Sequence, residues 1–158
     1  MTIFTATNTS NGVVAADRSA IWRLLTDPGK LAAMTPLLDH IEADGDRWRW
    51  VMTRIPVLGI SIAPAFTERM TFTPEERIDF THSPPGGKPE RASAEGTYVL
   101  TEVEGGTHLA IDLTLCVELP LPRMAKRAVD GVMDKVMAHM GDRFAANLDR
   151  ELGLLPTV

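Results

Sequence analysis

Two hydrophobic periods divide the chain. From Leu37 to Leu119 apolar and polar residues alternate at a spacing of two, whereas from Pro122 to Leu152 the apolar residues return at the helical spacing. In the second segment Val129, Met133, Val136, Met137, Met140, Phe144 and Leu148 form one stripe, opposite Arg127, Asp134, Lys135, Asp142 and Asp149. This predicts a long amphipathic helix, with Pro122 in its first turn and Gly153 and Pro156 as its stop. Lys126 falls close to the middle of the stripe and Asn147 toward its edge, positions that a dry core does not favour.

Ahead of the alternating region, Ile3 to Val14 predicts an opening strand bent or bulged at Asn11-Gly12. Asp17 suits the cap of a short helix carrying Ile21, Trp22, Leu24 and Leu25, which ends before Asp27-Pro28, and a second short helix follows over Gly29 to Met34. The period of two then predicts strands over Leu38 to Ala43, Arg47 to Ile55, Ile60 to Thr73, Arg77 to Ser83, Arg91 to Val103 and Thr107 to Leu119. Pro56 to Gly59 and Pro84 to Pro89 read as loops, and Pro74-Glu75-Glu76 and Glu104-Gly105-Gly106 as tight turns. In the last strand Leu109, Ile111, Leu113, Leu115, Val117 and Leu119 alternate with polar or small residues, so one face is buried and one is wet. An antiparallel sheet with one apolar face and a helix with one apolar stripe complete each other, which predicts an α+β fold.

Composition narrows the function classes. At 158 residues, 44% hydrophobic and 23% charged, the chain reads as one globular domain over its whole length. The single cysteine, Cys116, excludes an internal disulfide framework and a cysteine-rich zinc site. The 21 acidic and 16 basic residues leave a net charge of −5 without a basic run, which argues against nucleic acid as a partner. Met1 to Gly12 has neither a basic start nor an apolar run, and no segment has the length of a transmembrane helix, so a cytoplasmic protein is expected.

One position breaks the apolar parity of the Ile60 to Thr73 strand: Glu68 shares its face with Phe66 and Met70. A tight turn at Pro74 pairs Phe72 with Ile78, Met70 with Phe80 and Glu68 with His82. The same parity brings Arg54, beyond Trp48, Trp50 and Met52, and Tyr98 onto that face. Such a cluster suits either orientation of a ligand head group or acid and base work by Glu68 and His82, since a buried carboxylate has a shifted pKa. It is equally an ion pair at a strand end with no chemical role. His40, His108 and His139 lie on separate elements without metal-ligand spacing, Cys116 has no histidine beside it, and no metal or cofactor is expected.

The order of elements, the DRSAIWRLLTDPGKLAAM stretch and the ELPLPRMAKRAV junction resemble the START-like, or SRPBCC, superfamily, which includes polyketide cyclases, pollen-allergen-like proteins and lipid-transfer domains. The resemblance implies a helix-grip fold: a curved seven-stranded antiparallel sheet wrapped around the C-terminal helix, two short helices after the first strand, and a cavity between sheet and helix. It further implies a mouth built by the short helices, an end of the long helix and the Pro56–Gly59 and Pro84–Pro89 loops. A hydrophobic or amphipathic small molecule is then the expected partner. Trp50, Met52, Phe66, Met70, Phe80, Met133, Met137, Met140 and Phe144 would form its wall, with Glu68, His82, Arg54 and Tyr98 at its polar end. A cyclase, aromatase or dehydratase, and a protein-interaction module with a vestigial cavity, stay open beside it, as does a homodimer.

Overall fold

The computed structural model describes residues 2–86 and 88–154. Nine strands and three α-helices follow the expected order: β1 (Thr2–Val14), α1 (Arg18–Leu25), α2 (Pro28–Met34), β2 (Leu38–Asp44), β3 (Arg47–Met52), β4 (Ile55–Val57), β5 (Ile60–Ile62), β6 (Ala65–Thr73), β7 (Arg77–His82), β8 (Ala92–Val103), β9 (Gly106–Leu119) and α3 (Lys126–Glu151). Seven strands make one antiparallel sheet in the order β1-β9-β8-β7-β6-β3-β2, and its apolar face packs against the helices. Val129, Met133, Met137, Phe144 and Leu148 are the buried residues of α3, the stripe that the helical period singles out. Pro156 and Gly87, expected in the helix stop and in a loop, lie outside the described residues. No described helix is long and apolar enough to cross a membrane.

Several expectations are corrected. The Ile60 to Thr73 strand is two: β5 folds back on β4 as a separate two-stranded hairpin, and β6 starts only at Ala65. Pro64, lacking an N–H, sits at the break. The expected Pro56–Gly59 loop is this hairpin, turned at Leu58 and Gly59 with φ of 46° and 83°, the left-handed pair that tight hairpins need. Asn11-Gly12 does not bulge β1, which pairs residue for residue with β9 from Thr2 to Val14. Asp17 precedes α1 without a side-chain cap bond, whereas Asp27 caps α2 through Lys30 N–H. The long helix opens with a 3-10 turn, Arg123–Ala125, and Lys126 is exposed, its Nζ bonded to Asp130. It stands in the first helical turn, before the stripe meets the sheet. Asn147 is explained by a bond to the Met34 carbonyl, 2.9 Å long, which ties α3 to the end of α2.

Candidate functional site

The concave face carries polar groups in two places. The first lies where β7 ends. Its pairing with β6 runs to Glu68↔His82, but its pairing with β8 stops at Phe80↔Gly96. Gly96 is required there, because a Cβ would run into the Asp112 carbonyl and the Phe80 ring. Beyond this point β6 and β8 face each other across a gap, each with backbone N–H groups that β7 no longer satisfies. Side chains take them. Glu68 Oε1 accepts from Ala94 N–H at 2.9 Å, and Glu90 accepts from Thr67 N–H and Thr67 Oγ1, both at 2.8 Å. His82 Nε2 lies 2.9 Å from Glu90 Oε1.

Glu68 and His82 are thus cross-strand partners, as the tight Pro74 turn implies, but their side chains engage different groups. Glu68 is 0% exposed and its Oε2 has no hydrogen-bond partner among the described residues. Burial, with the nearby Glu95 and Glu90 carboxylates, pushes its pKa up to about 8, against the lowering by the Ala94 N–H. Burial therefore favours the protonated, carboxylic acid form of the group. With Oε1 accepting, the proton belongs on Oε2.

The second place is a cavity of about 510 Å³ between β1, the middle of β9 and the C-terminal half of α3. Leu109, Ile111 and Leu113 of β9 form its floor, and Met137, Met140, Phe144 and Leu148 of α3 its apolar roof. Ile111 and Leu113 are only half-buried although they continue the apolar row of Val117 and Leu119, because they look into this space. β1 supplies polar lining. Its inward residues change from Phe4 and Ala6, both buried, to half-buried Asn8 and Ser10. Tyr98 of β8 completes the wall, and its hydroxyl makes no hydrogen bond to a described residue. Burial raises the phenol above its ordinary pKa, so it stays a neutral donor. The charged residues of the lining are Asp142 and Asp149, and none is cationic.

A smaller, wholly apolar space of about 60 Å³ lies beneath the β4–β5 hairpin. The residues expected at a site therefore separate. Tyr98, Met137, Met140 and Phe144 line the large cavity; Met52, Phe66 and Met133, with Met140 again, line the small one. Trp50, Met70 and Phe80 are buried on the same face but line neither, and the Trp50 indole N–H is unpartnered among the described residues. Arg54 is exposed and makes no ion pair with a described residue. Asn8, Ser10, Thr67 and Glu90 were missed. Asn8 and Ser10 share the parity of Phe4 and Ala6 and were legible. Glu90 lies in an aperiodic stretch, where no pattern places it.

No protein-family model matches the chain, and no curated protein matches it in sequence. Its architecture is the helix-grip fold, a seven-stranded antiparallel sheet set against a long C-terminal helix, and solved structures share it. A conserved protein from Geobacillus kaustophilus superposes with a TM-score of 0.68 at 15% identity, over 94% of this chain and 95% of that one. The aromatase/cyclase Zhui from Streptomyces sp. R1128 does so with 0.58 at 15% identity, over 94% and 96%. The di-domain aromatase/cyclase StfQ of the steffimycin biosynthetic pathway matches with 0.62 at 12% identity, over 92% of this chain and 49% of that one. Likeness at such identities is likeness of fold.

Proposed function

We propose that the chain binds a hydrophobic or amphipathic small molecule, of lipid, polyketide or aromatic type, in the cavity between β1, β9 and α3. The observation that carries this reading is the cavity itself. Its volume of about 510 Å³ falls in the range of ligand sites, and its wall is apolar with a few convergent polar groups. The amide of Asn8 and the hydroxyls of Ser10 and Tyr98 suit a hydroxyl or carbonyl on the ligand. With Asp142 and Asp149 as the charged lining, the polar end of that ligand is neutral rather than carboxylate.

The enzyme alternative, a cyclase, aromatase or dehydratase, draws on the two aromatase/cyclase neighbours and on Glu68, an acid with a pKa of about 8. Of Glu68, His82, Arg54 and Tyr98, Tyr98 is the one that lines the large cavity, which favours binding over acid–base turnover. The size of the cavity likewise weighs against a vestigial one.

The test is native mass spectrometry with extraction of the co-purified molecule, followed by titration of neutral aromatic and lipid ligands into the wild type and Ile111→Trp. The indole fills the floor of the cavity, and uptake should fall at least about tenfold while the circular dichroism spectrum is kept. Equal uptake by the variant, or no molecule bound by the wild type from either source, sinks the reading.

A further inference from the structure

The two edges of the sheet are built differently. β2, at one end, has seven residues, carries Asp39, Glu42 and Asp44, and has a register irregularity between Leu38 and His40. Charge, shortness and irregularity are the devices by which an edge strand avoids pairing with another chain. β1, at the other end, has none of them. Its thirteen residues, TIFTATNTSNGVV, include no charged residue and no proline, and its register with β9 is unbroken. Its outer edge pairs with no other strand among the described residues.

We propose that β1 is a self-association strand, which joins antiparallel to β1 of a second copy about a two-fold axis through Asn8. The register follows from the strand. A dyad at Asn8 pairs every residue from Thr2 to Val14 with a residue of the same strand in the second copy, because the two numbers of each pair sum to sixteen. It sets Thr7 against Thr9 and Thr5 against Asn11, so polar meets polar. It also sets Ile3 against Val13, the two large apolar side chains that β1 leaves exposed, at 69% and 62%. Alternation puts both on the outer face with the threonines. The pairing is isologous and closed, so it yields a dimer with one continuous sheet rather than a filament. Asn8 and Ser10, at and beside the dyad, belong to the cavity wall, so the second copy would also brace the two cavities against each other.

A charge-swap at the Ile3 and Val13 positions tests both the surface and the register. Sedimentation velocity over a concentration series should show a dimer for the wild type. Ile3→Lys and Val13→Lys, each on an exposed side chain, should weaken it at least about tenfold with an unchanged thermal melt. The double variant Ile3→Lys, Val13→Glu should restore the dimer, because the ammonium introduced at the first position would meet the carboxylate introduced at the second position of the other copy. The two positions lie about 34 Å apart along one strand, which excludes rescue within a chain. A monomeric wild type, a dimer indifferent to both single substitutions, or a double variant that stays monomeric overturns the proposal.

Discussion

The gap at the end of β7 and the cavity beside β1 both put polar atoms on an apolar concave face, and they use them in opposite ways. At the gap, Glu68 Oε1 and Glu90 accept from Ala94 N–H and Thr67 N–H, backbone groups that a longer β7 would have satisfied, and Glu90 also accepts from Thr67 Oγ1. At the cavity, Asn8 and Ser10 stand on a strand whose register with β9 is unbroken, and neither side chain is spent on a backbone group of a described residue. A polar residue on a buried face is therefore not yet a sign of ligand chemistry. What decides is whether the side chain is already spent on a backbone group.

The contrast breaks if the gap residues prove dispensable for stability. Glu68→Ala leaves Ala94 N–H without its acceptor and opens a void, and should cost about 2–4 kcal/mol in urea unfolding at or below pH 4.5, where the protonated carboxyl contributes in full. Glu68→Gln, which keeps a carbonyl acceptor, should cost far less and should change the pH dependence. The carboxyl has an ordinary value of 4.5 and a folded value of about 8, so between them the native state holds the proton more tightly than the unfolded one. The stability Glu68 contributes is complete below 4.5 and is lost as pH rises through about 8, with a slope of at most about 1.4 kcal/mol per pH unit, and the glutamine should flatten this slope. Glu90→Ala strands two donors on Thr67 and should cost about 1–3 kcal/mol by the same measurement. Ser10→Ala is the smallest effect and the sharpest counterpart: stability within about 0.5 kcal/mol of wild type, but ligand affinity lower by about three- to tenfold in calorimetric titration. A Ser10→Ala protein as unstable as Glu90→Ala would erase the distinction.

The legible parts of the chain are those that a period can place. The stripe of α3 and the alternation of β9 pointed to the sheet-and-helix architecture, and the turn at Pro74 placed Glu68 opposite His82. Parity assigns a face, however, and not a lateral partner. Whether Glu68 meets His82 or Ala94 depends on where β7 leaves β8, and that is decided by a contact between strands distant in sequence. The break at Ala63-Pro64 was hidden because Ile60 and Ile62 share the parity of Phe66, although Pro64 signalled it. Arg54 illustrates the same limit: it continues the alternation of Trp48, Trp50 and Met52, but β3 has already ended at Met52.

The early end of β7 also changes how the sheet is held together. On either side of it the strands are joined by a ladder of backbone bonds, each fixed by its neighbours. Across it they are joined by two carboxyl side chains, each holding a backbone N–H that the ladder leaves over. At that end the sheet thus passes from a backbone ladder to side-chain bonds between its two halves, β2-β3-β6 and β8-β9-β1.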